Sequence, residues 1–402
     1  MLTSYGHPHK VPILLNPVTL DEDETMNLKP FLSFSERSIA DLDAWQDQGG
    51  KIAGVYCIYA PNELIRAAGI VPVSLCGKKQ APIKDAEKEL PASFCPLVKS
   101  SYGYAVTDTC PFFQFSDILI AETTCDGKKK MYELMGKLKP LHLMHLPHTQ
   151  EPEAVLEYWL RALHRLEDFL FQCSGIKVSD QALHDQIVQQ NEIRKALWDI
   201  SVLAADRQSP LTASDMLAIQ ESKSFCVNPA GYLEQLITLK RELEEFLRQP
   251  GLAAPGGIRI LLTGCPVGKG SDKVIQIAQE LGARIVSMEN CTGLKGMTLA
   301  VDETIDPYEA IARRYLKIPC SCMTPNPLRP ESIREMADLF QADAVLDLTW
   351  TGCHTYNAES FTLQQFVEDQ LELPFLHIET DYSESDQGQL KTRIEALVEL
   401  SG

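Results

Sequence analysis

Features that would direct this chain to a membrane or to a nucleic acid are missing from its sequence. The 402 residues contain no apolar run of about 18 residues, the length that a helix needs to cross a bilayer. The first 24 residues lack the basic start and apolar core of a signal peptide. The formal net charge is -18, and an acidic surface disfavours binding to nucleic acid and to anionic membranes. We therefore expect a cytoplasmic protein.

Closely spaced cysteine pairs are scarce, although cysteine itself is abundant. The chain has 12 cysteines, and in a reducing compartment these are not expected to form a disulfide framework. Structural zinc sites typically use short pairs such as Cys-x-x-Cys. The candidate cysteines here are 30 residues or more apart, except for Cys320 and Cys322. Zinc is therefore disfavoured, whereas wide spacing suits a cluster held in a crevice between two domains.

The composition is that of a globular protein, and the order of predicted elements divides the chain into four segments. Hydrophobic residues make up 45% and charged residues 23%. Strands and helices alternate over 50–150 and again over 250–402, which predicts an α/β fold with two similar doubly wound parallel sheets, Rossmann or flavodoxin-like. Residues 1–49 are irregular and then helical. Residues 151–249 carry leucines at helical spacing and are interpreted as a linker, a lid or a dimer face.

Six cysteines occupy corresponding positions in the two α/β domains. They form three pairs along the chain: Cys57 with Cys265, Cys95 with Cys320 or Cys322, and Cys125 with Cys353. Four of the six end predicted strands, and ligands of doubly wound sheets bind outside the carboxyl ends of strands. Inert core thiols would not favour that edge. The pattern therefore predicts a ligand site lined by thiols.

Thiolates at the mouth of a cleft suit a nucleophile, a zinc ligand or an iron–sulfur ligand. Six thiolates would suit two cubanes with three protein ligands each. A cubane with three protein thiolates keeps one iron for a bridge, for solvent or for substrate. The spacing does not choose between one cluster and two.

Several charged residues close to these cysteines in the sequence are further candidates. His354 follows Cys353 directly, and it is predicted either as a proton donor or as a structural hydrogen-bonding residue. The three lysines at 128–130 could offset the charge of a cluster, contact an acidic partner or face solvent. Glu63 and Glu359 are predicted to be helix caps rather than acids or bases.

The segment GCPVGKGSD at 264–272 resembles a phosphate-binding loop but departs from its pattern. The loop requires Gly-x4-Gly-Lys-Ser/Thr before a helix, whereas here the spacing is one residue short and Gly270 follows the lysine. A glycine turn that presents Cys265 at a helix N-terminus is the preferred interpretation. No ATP is expected to bind this chain.

Longer blocks of the sequence resemble one known family. The blocks are GVYCIYAPNELIRAAGIVPVSLCG, FCPLVKSSYGYA, TTCDGKKKMYELM, LTGCPVGKGSDKV, ARRYLKIPCSCMTPN, GCHTYNAES and the C-terminal IETDYSESDQGQLKTRIEALVE. From about residue 50 to its end the chain resembles the 2-hydroxyacyl-CoA dehydratase and benzoyl-CoA reductase D-component family. Within that family, Cys57 and Cys265 make it most similar to the double-cubane cluster proteins.

This resemblance implies an iron–sulfur reductase component that acts as a homodimer. A separate iron–sulfur ATPase, the activator, would hydrolyse ATP and supply electrons at low potential. A double-cubane [8Fe–9S] cluster in the interdomain cleft would then reduce small molecules of the acetylene, azide or hydrazine type.

The resemblance also assigns the cluster ligands in two sets. Cys95, Cys125 and Cys353 match the cubane of the dehydratases, whereas Cys57, Cys265 and Cys320 look like the additional set. The choice among Cys320, Cys322 and Cys291 for the sixth ligand stays open.

Three other functions compete with the double-cubane reductase. A 2-hydroxyacyl-CoA dehydratase subunit would have a single [4Fe–4S] cluster, a pocket for CoA and usually a second, different subunit. A non-catalytic iron–sulfur electron carrier would be redox-active without turnover. A metal-free α/β binding protein would be colourless and stable in air.

Overall fold

Two four-stranded parallel sheets dominate the computed structural model, which describes residues 26–254 and 256–401. The strands are β1 (Lys51–Val55), β2 (Ile70–Ser74), β3 (Ile118–Glu122), β4 (Leu141–Met144), β5 (Arg259–Gly264), β6 (Arg284–Glu289), β7 (Ala344–Trp350) and β8 (Phe375–Thr380). The first sheet has the order β2-β1-β3-β4, and the second has the equivalent order β6-β5-β7-β8. Every pairing between these strands is parallel. The predicted α/β fold with two similar sheets is confirmed.

The described helices fall into three sets along the chain. The first set is α1 (Lys29–Leu32), α2 (Phe34–Asp47), α3 (Asn62–Ala67), α4 (Ile83–Ala86), α5 (Pro96–Thr107), α6 (Pro111–Phe115) and α7 (Asp126–Met135). The second set is α8 (Pro152–Ser174), α9 (Asp180–Ala204), α10 (Ala213–Ser222), a 3-10 turn (Lys223–Phe225) and α11 (Pro229–Leu247). The third set is α12 (Lys273–Glu280), a 3-10 turn (Leu294–Gly296), α13 (Pro307–Leu316), α14 (Leu328–Leu339), α15 (His354–Gln370) and α16 (Gln387–Ser401). No described helix is both long and apolar enough to span a bilayer.

Three of the four inner strands are buried along their whole length. Every residue of β3, β5 and β7 is buried. Strands of a parallel sheet are covered on both faces by their crossover helices, so their sequences are nearly continuous apolar runs rather than alternating patterns. This explains why ILIAE and RILLTG could be recognised as strands from sequence alone.

The helical region predicted for 151–249 consists of long amphipathic helices. The leucine stripe of α8 is buried, with Leu163, Leu166 and Leu170 each 0% exposed. The chain leaves α8 at Gly175, whose φ of 71° is in the left-handed region that glycine adopts without strain. The long central helices α9 and α11 pack against each other.

The two halves of the chain contribute side chains to each other's hydrophobic clusters. Residues of the second half, including Val301, Ile311 and Met323, belong to the hydrophobic cluster that contains Ile118 of the first sheet. In the opposite direction, Phe31 of α1 belongs to the main cluster of the second half. The predicted domain boundaries stay a prediction, and residues 1–25 of the predicted N-terminal segment lie outside the described residues.

A buried ionic network fixes the carboxyl ends of the second sheet. The guanidinium of Arg329 on α14 lies 3.2 Å from a carboxylate oxygen of Asp347 on β7, and both side chains are fully buried. It also pairs with Glu359 on α15 and lies 3.8 Å from Glu289 at the end of β6. Lys295 lies 3.2 Å from the other oxygen of Glu289. The network therefore fixes the positions of β6, β7, α14 and α15 relative to one another.

Replacement of Arg329 by methionine should destabilise the protein strongly. Asp347 and Glu289 would remain buried beside one cation fewer, and breaking a buried ion pair by removing one partner costs about 3–5 kcal/mol. Urea unfolding of the Arg329→Met variant measures this loss. The matched control is Arg161→Met, which removes an exposed pair with Glu157 and should cost less than about 1 kcal/mol. Equal effects of the two substitutions would contradict the account.

Candidate functional site

The carboxyl ends of the two sheets meet at a common cleft. The loop after β7 approaches the loop before α5 so closely that a Cβ on Gly352 would lie 2.4 Å from the carbonyl oxygen of Ser93. The Tyr382 hydroxyl, just after β8, donates to the carbonyl of Gly77 just after β2 at 3.1 Å. Cysteines that follow strands of both sheets are thereby brought to one place.

The first group of thiols, called here the Cys95 group, contains cysteines of both halves. Its members are Cys95, Cys125, Cys265 and Cys353. Burial raises the pKa of Cys95 to about 12, and the charges of Cys353 and Cys125 act in the same direction. A hydrogen bond joins the thiols of Cys265 and Cys353, and it lowers the pKa of Cys353.

Three members of the Cys95 group cap helices. Cys95, Cys125 and Cys353 are the N-cap residues of α5, α7 and α15. The Cys125 sulfur accepts a hydrogen bond from the Lys128 amide at 3.4 Å. The N-terminal end of a helix carries partial positive charge and free amides, which favour a thiolate. These three are also the cysteines that the sequence resemblance assigns to one cubane.

The second group of thiols, called here the Cys57 group, contains Cys57, Cys291 and Cys320. Burial raises the pKa of Cys57, and both Cys291 and Cys320 raise it further through their charges. Cys320 likewise raises the pKa of Cys291, so the three thiols lie within electrostatic range of one another. The two groups are adjacent, because the charge of Cys320 also acts on Cys353.

Cys322 and Cys76 lie at the edge of the Cys57 group. A hydrogen bond joins the thiols of Cys322 and Cys320. This bond and the charge of Lys295 lower the pKa of Cys320 to about 6, although burial opposes the shift. The Cys322 sulfur is also 3.9 Å from the Tyr59 hydroxyl. Cys76 donates to the Tyr56 carbonyl at 3.0 Å.

Lys128 is the lysine of the 128–130 run that faces the thiols. Its ammonium group lies 3.3 Å from the Tyr56 carbonyl. Burial opposes its charge, but the charges of Tyr132, Cys57, Cys76 and Cys125 outweigh burial and raise its pKa. Lys129 and Lys130 are exposed, and they pair with Asp126 and Glu133 on the surface.

Glu122, at the end of β3, is a buried carboxyl group without a hydrogen-bond partner in the described part of the chain. Both of its carboxylate oxygens are unpaired. Burial raises its pKa from 4.5 to about 8, against the opposing charge of Lys128. At neutral pH this side chain is therefore largely protonated.

A cavity of about 160 Å³ lies beside the Cys57 group. Cys57 and Cys291 line it, together with side chains of α3, α9, α13 and the 3-10 turn at Lys223–Phe225. Lys223 donates to the carbonyl oxygens of Thr292 and Gly293 at 3.2 and 3.4 Å. Burial lowers the pKa of Lys223 to about 7. The charges of nearby arginines also lower it, whereas the charge of Cys291 raises it.

The donor set fits an iron–sulfur cluster better than a single metal ion. Within residues 26–254 and 256–401, no three His, Cys, Asp or Glu side chains are placed to hold one ion. In a cluster each thiolate binds a different iron, so its ligands lie farther apart than the ligands of one ion. Free thiols drawn from both halves of the chain match that requirement.

The structure groups the predicted cluster ligands differently from the two sets that the resemblance assigns. Cys265 lies with Cys353 in the Cys95 group, whereas Cys291 lies with Cys57 and Cys320. His354 is exposed at the first residue of α15, and its role as a proton donor stays a prediction.

The two glutamates predicted to be helix caps have other contacts. Glu63 lies in the first turn of α3, but it is completely buried, pairs with Arg194 and accepts a hydrogen bond from the Tyr315 hydroxyl. For Glu359 the cap prediction is wrong, because it lies inside α15 and pairs with Arg329. Both partners are distant in sequence, so local pattern gave no signal for them.

Comparison with known proteins decides the family. The family model for the D-component of 2-hydroxyglutaryl-CoA dehydratase matches residues 57–400. The chain belongs to this family. The match begins at Cys57 and spans both groups of thiols.

Several named relatives cover most of the chain. The "Putative dehydratase subunit YjiM" of Escherichia coli (strain K12) is 40% identical over 355 residues, which are 88% of this chain and 92% of that protein. The (R)-phenyllactyl-CoA dehydratase beta subunit of Clostridium sporogenes is 24% identical over 88% of this chain and 92% of its own. A shorter match, 22% identical over 44% of this chain and 46% of the relative, is to one of the subunits of benzoyl-CoA reductase from Thauera aromatica. The chain is therefore similar to subunits of both dehydratases and a reductase.

Glu122→Gln should stabilise the metal-free protein in a pH-dependent way. The folded-state pKa of Glu122 is raised, so the stability that accompanies its protonated form is fully present below about pH 4.5 and is lost as pH rises through about 8. Glutamine stays neutral, and its advantage over the wild type should therefore grow across this window. Urea unfolding at about pH 5 and about pH 8.5 measures it. Glu234→Gln, on an exposed side chain, is the control, and a pH-independent difference at Glu122 would contradict the assignment.

Proposed function

We propose that this chain is an iron–sulfur reductase component with a double-cubane [8Fe–9S] cluster in its interdomain cleft. An ATP-hydrolysing activator protein would supply low-potential electrons for the reduction of small molecules. The observation that carries the proposal is the convergence of two adjacent groups of thiols, with members from both halves, on one cleft. A single cubane needs at most four protein thiolates, and the two groups together offer seven.

Seven cysteines are available to hold the cluster. Cys95, Cys125 and Cys353 would hold one cubane, and Cys57 and Cys320 would contribute to the other. Cys265 and Cys291 compete for the sixth position, and Cys322 stays an alternative to Cys320. The resemblance favours Cys265, whereas the charge interactions of Cys57 and Cys320 favour Cys291. When bound, such a cluster supplies electrons at low potential.

The residues around the thiols would stabilise the negative charge of cluster and ligands. Three thiolates would lie at helix N-termini, where backbone amides favour negative charge. Lys128 and Lys295 place buried ammonium groups within electrostatic range of the thiols. His354, which is exposed directly after Cys353, is proposed as a proton donor.

The size of the cavity favours a small substrate. Pockets for drug-sized ligands have volumes of about 300–1,000 Å³, whereas the cavity beside Cys57 and Cys291 has about 160 Å³. An engineered cavity of about 150 Å³ accepts benzene. A cluster bound by Cys57 would fill the part of this cavity next to that thiol. The rest leaves room for at most a molecule of a few heavy atoms, and a CoA thioester would not fit without rearrangement.

Contacts of the loop at 264–272 support the proposal that a partner protein, rather than this chain, hydrolyses ATP. The amide of Lys269, where a phosphate oxygen would bind in a phosphate loop, donates to the carboxylate of Glu221 at 3.0 Å. We therefore propose that the activator binds the nucleotide. We also propose that the protein is a homodimer and lies in the cytoplasm.

A 2-hydroxyacyl-CoA dehydratase subunit with a single [4Fe–4S] cluster is the second candidate function. The names of the relatives favour it, since those that match over most of the chain are dehydratase subunits. This function requires a site for a CoA thioester, and usually a second, different subunit.

Anoxic purification followed by counting of iron and acid-labile sulfide tests the proposal. We expect about eight irons per chain, and ATP-dependent reduction of azide or acetylene when an activator is added. About four irons would favour the dehydratase subunit. A loaded cluster without any turnover would favour an electron carrier, and no iron after reconstitution would leave a metal-free protein.

Single alanine variants identify the ligands. Cys95→Ala and Cys57→Ala should each lose iron, because they lie in different thiol groups. Cys173→Ala is the matched control, since this partly buried thiol lies on α8 outside the cleft, and it should keep the wild-type iron content. Comparison of Cys265→Ala with Cys291→Ala decides the sixth ligand. Wild-type iron content in both the Cys57 and Cys95 variants would refute the ligand assignment.

A further inference from the structure

The cavity beside the Cys57 group is lined by cations without carboxylates. Its described lining contains no Asp or Glu but six basic side chains: Arg66, Lys78, Lys128, Arg194, Lys223 and Arg314. In a small protein cavity each uncompensated charge is costly. The balance of charge around the cavity is therefore informative about its ligand.

Buried carboxylates behind the lining neutralise two of the six cations. Lys78 pairs with Glu221 at 2.6 Å, and Arg194 pairs with Glu63. Glu63 is shared, because its charge also acts on Arg66 and Arg314. Three guanidinium groups thus surround one carboxylate.

The other four cations donate only to backbone carbonyl groups among the described residues. Arg66 donates to Cys226 at 2.5 Å, Lys128 to Tyr56 at 3.3 Å, Lys223 to Thr292 at 3.2 Å, and Arg314 to Leu299 at 3.2 Å. None of the four has an ion-pair partner within the described part of the chain. Carbonyl groups supply partial charge but no full negative charge.

Three lining residues carry a buried donor that has no acceptor among the residues that the structure describes. The donors are the hydroxyl of Tyr56, the Nε of Arg66 on α3 and the Nε2 of Gln190 on α9. A buried donor without a partner costs about 1–3 kcal/mol, and such groups are rare in native proteins. An oxygen-bearing ligand would supply acceptors for the Arg66 and Gln190 donors.

The cations of the cavity differ in the groups with which they interact. Lys128 interacts with the thiols of Cys57, Cys76 and Cys125, and it would balance the cluster. Arg66 interacts instead with Glu63 and Cys226, and Arg314 with Arg194, Glu63 and tyrosines. The positive charge of Arg66, Arg194 and Arg314 exceeds the single negative charge of Glu63, and the excess is left for another anion.

We propose that this cavity binds a small carboxylate anion. Arg66 and Gln190 would donate to its oxygens, and Arg314 would supply further positive charge. A guanidinium group matches the planar geometry of a carboxylate, and the volume of about 160 Å³ limits the anion to a few heavy atoms. The inference rests on the proposed function only in making this anion the substrate, because binding itself requires no cluster.

Calorimetric titration of the anoxic, cluster-loaded protein tests the site, with acetate as the probe and acetamide as its neutral analogue at constant ionic strength. We expect acetate to bind at least about tenfold more tightly than acetamide. Arg66→Gln should weaken acetate binding by about tenfold or more, since one charged hydrogen bond is lost. Gln190→Leu should weaken it about three- to tenfold, and it breaks no hydrogen bond of its Nε2 in the folded protein.

Arg161→Gln on the exposed face of α8 is the control, and it should leave the affinity unchanged. Equal affinities for acetate and acetamide, or wild-type affinity in both cavity variants, would overturn the site. The same titration on metal-free protein separates the two proposals. Acetate binding by a chain that takes up no iron would support the site while refuting the reductase. Loaded iron without acetate binding would refute the site alone.

Discussion

Thiolates gathered in a buried cleft repel one another, and burial removes the water that would otherwise stabilise their charge. In this chain the pKa values of Cys57, Cys95 and Cys291 are raised by burial and by neighbouring thiols. These thiols therefore ionise at neutral pH only if positive charge, or a cation bound by the thiolates, lies close to them. The positions of the helix ends, lysines and arginines around the cleft follow from this requirement.

Both halves of the fold place positive charge beside the thiols in the same way. Each parallel sheet places its loops at the carboxyl edge, and three of the helices that begin there have a cysteine as their N-cap. Lys128 of the first half and Lys295 of the second add buried ammonium groups. Behind them, the Arg329 network fixes the strand ends, so the thiols do not depend on flexible loops alone for their position.

The sheets, and the cysteines at their edge, could be predicted because the signals are local. Strands such as RILLTG are continuous apolar runs, and Cys265 directly follows one. The grouping of thiols could not be predicted, since the charge interaction of Cys57 with Cys291 depends on how the two halves pack together. The same holds for the cavity, where Arg66 and Gln190 come from helices far apart in sequence. Glu63 looked like a helix cap because its partner Arg194 is 131 residues away.

Iron-edge anomalous diffraction from anoxic crystals of the reconstituted protein is the most direct test of the central claim, that these thiols hold a cluster. The account predicts iron density in the cleft in two adjacent parts. One part should contact Cys95, Cys125 and Cys353, and the other should contact Cys57 and Cys320. Absence of iron from the cleft, or iron bound only at cysteines outside both thiol groups, would contradict it.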